Sequence, residues 1–106
     1  MSLEQVEKVR APLDMEKVTP SLDEPSLYKV VMHNDDFTPM EFVIAALEVF
    51  FHFERTIATK VMFEVHKTGN AICGIYSRDI AETKAEKVVE YAKKHDYPLL
   101  CSVEVT

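Results

Sequence analysis

Between Leu27 and Phe51 the hydrophobic pattern changes period once. Leu27 to His33 alternates, with Tyr28, Val30 and Met32 on one face, and this predicts a strand. From Met40 onward the apolar residues Met40, Val43, Ile44, Leu47, Phe50 and Phe51 recur at helical spacing. The polar cluster Asn34-Asp35-Asp36 separates the two patterns. Thr38-Pro39-Met40-Glu41 predicts how the helix starts, with Thr38 as N-cap, Pro39 at the first helical position and Glu41 closing a capping box. Phe42, Ala46 and Val49 add a second apolar side, so this helix is expected to be buried on two faces. A strand feeding at once into a capped helix, in a chain of 106 residues, leaves room for one core that mixes sheet and helix.

The remaining pattern completes that core. A second helix is expected from about Glu54 to Thr68, with the stripe Ala58, Val61, Met62 and Val65 and with Gly69 as its C′ residue. Within Asn70 to Ser77, Ala71-Ile72-Cys73-Gly74-Ile75-Tyr76 is a continuous apolar run that predicts a central strand. Asp79, with Glu82 three positions on, is expected to start a third helix with the stripe Ala81, Ala85, Val88 and Ala92. Acids at its start and Lys93, Lys94 and His95 at its end suit the helix dipole, and Pro98 is expected to stop it. Leu99 to Val105 alternates as a last strand. The order β-α-α-β-α-β predicts an α+β domain, a three-stranded antiparallel sheet with three helices packed on one face.

Residues 1–25 read differently. They hold Pro12, Pro20 and Pro25, no aromatic residue, and a sparse apolar set, Leu3, Val6, Val9 and Leu13, that could make at most a transient helix. Such a segment buries too little surface to offset its ordering entropy. The expectation is a flexible tail, either inert or engaged by a partner, ahead of a core domain over 26–106.

Charge and cysteine usage narrow the function classes. The formal net charge is −6, and no run of Lys and Arg builds the basic stripe on which phosphate neutralisation depends, so a nucleic-acid partner is not expected. No stretch approaches the roughly 18 apolar residues of a membrane span, and Met1 to Glu24 lacks the pattern of a signal peptide. The expected compartment is the cytoplasm, with Cys73 and Cys101 as reduced core thiols. Neither has metal-ligand spacing, and no metal or cofactor is expected.

One stretch concentrates polar groups beside a helix start: His33-Asn34-Asp35-Asp36-Phe37-Thr38. Two carboxylates and a carboxamide offer many acceptor lone pairs and few donors, a set that suits a metal ion or an ammonium group. Asn and Asp also favour turns in their own right. Met62 and His66 stand four apart on the second helix and so share a face. Should the two helices form a hairpin on the sheet, Asn34, Asp35 and a neutral His66 could accept the three hydrogens of an ammonium. Flexible methionines beside them would form an adaptable apolar pocket. An amine next to a bulky apolar side chain is the fitting ligand, and a polypeptide's first residue is one such. His33, His52 and His95 read as surface residues.

The run from Tyr28 to Val43, YKVVMHNDDFTPMEFV, resembles the signature of the ClpS adaptor family. The resemblance continues through Met62, Val65 and His66, then Gly69, Ala71, Cys73 and Gly74, and through Ala81-Glu82-Thr83-Lys84 to Pro98-Leu99. It covers essentially all of Ser26 to Val105. It implies a fold like the C-terminal domain of the bacterial ribosomal stalk protein. It also implies a non-enzymatic adaptor, a monomer, that binds proteins beginning with Leu, Phe, Tyr or Trp (N-degrons) and hands them to the ClpA unfoldase of the ClpAP protease.

By the same resemblance, Asn34, Asp35 and His66 would hold the α-amino group, and Asp36, Thr38, Met40, Val43, Met62, Val65 and Leu99 would line the side-chain pocket. Met40 is similar to a gate that disfavours β-branched first residues. Asp79 and Lys84 would contact ClpA; the family often has Glu at the first of these, and Asp keeps the charge with a shorter reach. Two other readings compete: a small metal-dependent hydrolase built on Asp35, Asp36 and His66, and a stalk-like domain recruiting translation factors.

Overall fold

The structure, a computed structural model, describes residues 26–106, so the tail expected over 1–25 lies outside the described residues. The elements are β1 (Tyr28–His33), α1 (Met40–Phe51), α2 (Arg55–Thr68), β2 (Asn70–Tyr76), α3 (Arg78–Lys94) and β3 (Leu100–Val105). The three strands form one antiparallel sheet in the order β2-β1-β3. The α+β class and the element order are therefore those the sequence implies.

Alternation in β1 sends Val30 and Met32 into the core, where both are fully buried. Tyr28, two residues earlier, packs against the same cluster from its edge. The core gathers Val43, Ile44, Leu47 and Phe51 from α1, Ala58, Met62 and Val65 from α2, and Ala81, Ala85, Val88 and Ala92 from α3. The opposite face of the sheet carries Lys29, paired with Glu104 at 3.9 Å, and His33, whose Nε2 is hydrogen-bonded to Ser102 Oγ at 2.7 Å. His33 thus has a cross-strand partner that local sequence does not reveal.

Several local expectations are corrected. The apolar run Asn70–Tyr76 is an edge strand; β1 occupies the centre and pairs with both neighbours. Val31 is the reason alternation misleads here. It lies on the face away from the helices yet is buried, flanked by its partners Ile72 and Ser102. In β2, Ile72 is half exposed, and the pairing jumps from Val30↔Gly74 to Val31↔Ile72, which makes Cys73 the extra residue of a bulge.

Helix α1 is buried on two sides only in part: Ala46 is buried, Phe42 is half-buried among Tyr91, His95 and Tyr97, and Val49 is exposed. Helix α3 begins at Arg78 with Ser77 as N-cap, which puts Asp79 inside the first turn, where an acid suits the dipole. It ends at Lys94, ahead of Pro98, because Asp96 adopts a left-handed conformation. Gly69 ends α2 as expected, with φ 96° and its N–H donated to the Val65 carbonyl.

Candidate functional site

The β1–α1 loop is built around one carboxylate. Asp35 Oδ1 accepts hydrogen bonds from the Phe37 and Thr38 backbone N–H groups, both at 2.8 Å, and from the Thr38 hydroxyl at 3.0 Å. The same hydroxyl stands 2.8 Å from Oδ2. This is an Asx-type turn, in which a short acidic side chain satisfies the backbone that follows it. It also overturns the expected capping box. Thr38 turns its hydroxyl back to Asp35, Pro39 takes the N-cap position with no side-chain cap, and Met40 is the first helical residue. Glu41 is drawn away as well, forming an ion pair with Arg55, whose other terminal nitrogen stands 3.7 Å from Glu48.

The loop is tied to the end of α2. Asn34 donates its backbone N–H to the Gly69 carbonyl at 2.9 Å, and Gly69 is held to Val65 within the last turn of the helix. His66 lies in that turn, so the start of the acceptor loop is joined to the end of the helix that carries it. Asn34, Asp36 and His66 are exposed and Asp35 is half-buried. Carboxylate, carboxamide and imidazole acceptors are thus carried by the loop and by the helix end to which its backbone is joined.

The expected pocket residues divide in two. Val43, Met62, Val65 and Leu99 belong to a single core cluster and are almost fully buried. Met40, three positions before Val43 on the same helix face, is 51% exposed, and Thr38 is half-buried beside it in the chain. Met40 thus remains an exposed, flexible side chain at the start of α1, while the other four belong to the core.

Asp79 and Lys84 lie elsewhere, along an open groove between the end of α1 and α3 that also takes in Val49, Phe50, His52 and Ile80. Asp79 is exposed. Lys84 has an internal role that sequence reasoning missed. Its Nζ donates to the Phe50 carbonyl at 2.8 Å, satisfying an orphan acceptor at the C-terminal end of α1. The ammonium also stands 5.4 Å from the Tyr76 ring centroid and 5.8 Å from that of Phe51. Burial, and then Lys87 nearby, lower the Lys84 pKa. Tyr76 in turn lies over Gly74: a Cβ at that position would stand 2.5 Å from Tyr76 Cζ and closer still to its hydroxyl.

The two thiols face the core from β2 and β3. Burial is the first cause of a raised pKa in both, pushing Cys101 up to about 12 and Cys73 further. They are on strands flanking β1, about 10 Å apart across two strand spacings, too far for a disulfide. Among the described residues no three His, Cys, Asp or Glu side chains form a candidate metal site, so the hydrolase reading of Asp35, Asp36 and His66 has no arrangement behind it. Also among the described residues, no helix is long and apolar enough to cross a membrane.

Known proteins share this fold. Residues 23–102 match the family model described as ATP-dependent Clp protease adaptor protein ClpS. Among solved structures, the chain is similar to Agrobacterium tumefaciens ClpS2 bound to L-phenylalaninamide. The two share 38% sequence identity with a TM-score of 0.77, and the match covers 78% of this chain and 100% of the other.

Proposed function

The chain belongs to the ClpS family of adaptor proteins, and on that premise we propose that it captures polypeptides by their first residue and delivers them to the ClpA unfoldase for degradation by ClpAP. It acts in the cytoplasm as a monomeric binding protein, without cofactor and without catalysing a reaction. The observation that carries this reading is the Asn34 to Gly69 hydrogen bond, which brings the acceptor loop to the last turn of α2. The ligand of the Agrobacterium relative, a phenylalanine derivative, has the chemistry these acceptors fit: an amine beside an aromatic side chain.

In this mechanism the α-ammonium donates to Asn34, to Asp35 and to a neutral His66. Asp35 Oδ1 already accepts the Phe37 and Thr38 N–H groups and the Thr38 hydroxyl is shared between the two oxygens, so Oδ2, with fewer loop partners, is the oxygen that receives the ligand. The first side chain enters under Met40 and packs on Val43, Met62, Val65 and Leu99, with Asp36 and Thr38 at the mouth. Burying Leu, Phe, Tyr or Trp there contributes about 1.5–3 kcal/mol. Each charge-assisted bond adds roughly 1.5–3 kcal/mol before ordering costs. The total is of micromolar class, about −8 kcal/mol. The groove holding Asp79 and Lys84 is the surface assigned to ClpA, with Val49 and Ile80 supplying apolar contact.

The test is fluorescence anisotropy with a labelled peptide beginning with Phe and with its N-acetylated twin. Acetylation removes the charge and two of the three donors. Binding of the free amine alone is the expected result; equal binding of both, or of neither, overturns the reading. Pull-down of ClpA by the intact protein, and its loss on substitution of Asp79, tests delivery separately.

A further inference from the structure

The acceptor loop carries an apolar side chain that its own fold does not use. Phe37 is 76% exposed, more than any other large apolar residue described, and it lies outside the aromatic cluster of Phe42, Tyr91 and Tyr97. Its backbone is nonetheless braced. The Phe37 N–H donates to Asp35 Oδ1 at 2.8 Å, and Thr38 is fixed to the same carboxylate through its N–H and its hydroxyl. Met40, half exposed, follows three residues later. A ring held out to water on a braced backbone, with the exposed Met40 three residues on in the chain, is open to an apolar partner.

We infer that Phe37 receives the side chain of the captured peptide's second residue and makes an apolar residue there preferred. The inference rests on first-residue capture as proposed above and extends it by one position. Consecutive Cα atoms are about 3.8 Å apart, and successive side chains of an extended peptide point to opposite faces. With the amine on Asn34 and Asp35 and the first side chain directed under Met40, the second turns outward over the rim. The rim there consists of Asp36 and Phe37, the next two residues of the loop, both exposed. An apolar second side chain gains the Phe37 ring as a partner. An acidic one is brought beside the Asp36 carboxylate and repelled.

The test uses the full chain and three labelled peptides that begin Phe-Leu, Phe-Gly and Phe-Asp and are otherwise identical. Wild type should bind Phe-Leu roughly three- to ten-fold tighter than Phe-Gly, as partial burial of one Leu side chain gives, with Phe-Asp weakest. The Leu/Gly ratio should fall toward one in Phe37→Ala and persist in Phe37→Leu, with circular dichroism checking that each variant is folded. Equal affinities in wild type, or a ratio that survives Phe37→Ala, overturns the inference and leaves first-residue capture standing. Failure of wild type to bind any of the three peptides overturns capture itself, and this inference with it.

Discussion

Replacing Asp35 with asparagine separates the building of the loop from the capture of the amine. Asparagine keeps a carbonyl oxygen where Oδ1 accepts from Phe37 N–H, Thr38 N–H and the Thr38 hydroxyl. Its amide nitrogen replaces Oδ2, and the Thr38 hydroxyl, able to donate or accept, can reorient toward it. Asn also favours this class of turn. Stability should therefore change by about 0.5 kcal/mol or less. For a bound ammonium the outcome differs, because a donor now faces a cation where an anionic acceptor stood. Loss of a charge-assisted bond costs about 1.5–3 kcal/mol, so affinity for a Phe-starting peptide should fall roughly ten- to a hundred-fold.

Alanine at the same position removes both functions. Two backbone donors and a hydroxyl lose their acceptor, and because the site is open enough for water to replace part of it, the stability cost is about 1–2 kcal/mol. Urea unfolding beside fluorescence anisotropy reads the two quantities independently. Wild-type affinity in Asp35→Asn would refute the use of the carboxylate by the ligand. A stability loss in Asp35→Asn equal to that in Asp35→Ala would refute the account of the loop.

Gly74→Ala should cost about 1–3 kcal/mol by urea unfolding, since the new Cβ displaces the Tyr76 ring; a neutral effect would mean the ring has another place to go. Lys84→Met should lower stability by about 1 kcal/mol through loss of the Phe50 carbonyl's donor, and an unchanged urea midpoint would show that water serves that carbonyl equally well. If His66 is an acceptor, His66→Ala should weaken binding of a Phe-starting peptide in the anisotropy assay by about 1.5–3 kcal/mol, and unchanged affinity would remove His66 from the site. Cys73 and Cys101 have folded pKa values raised above the ordinary 9.0, so their stabilising contribution is complete below pH 9 and is lost as pH rises, because the unfolded chain releases the protons first. Unfolding free energy should thus decline from pH 8 to 10 at up to about 1.4 kcal/mol per pH unit per thiol, and less steeply in Cys101→Ala.

The fold was legible where periodicity was sustained. The core face of β1 and the stripes of α2 and α3 could be read from spacing because burial repeats at the period of the element. Strand order could not be read this way, since Val31 owes its burial to Ile72 and Ser102 on other strands. Capping failed for a related reason: Thr38-Pro39-Met40-Glu41 satisfies the local rule, but Asp35 competes for the hydroxyl and Arg55 for the Glu41 carboxylate. At the site, Asn34, Asp35 and His66 were visible as acceptors in the right order. What joins the loop to the helix end carrying His66 is the Asn34 to Gly69 bond, between residues 35 apart in the chain. Lys84 to Phe50 spans 34 residues and leaves no local signature either.

These two long-range bonds have a shared consequence through α1. The helix has 12 residues and is about 18 Å long. Its N-terminal end bears Met40 and grows out of the Asp35 loop; its C-terminal end is held by Lys84 at Phe50 and by the left-handed His52, whose N–H donates to the Leu47 carbonyl. Along its side Phe42 stacks on Tyr91 of α3 with ring centroids 5.0 Å apart. A helix braced at both ends and along one flank is a rigid spacer. It keeps Met40 and the groove of Asp79 and Lys84 at opposite ends of one element, so the pocket and the ClpA surface proposed above are far enough apart to be occupied together. On the proposed function, capture then needs to move only Met40 and the loop side chains, and the energy of holding a substrate is not consumed in reshaping the groove proposed to dock ClpA.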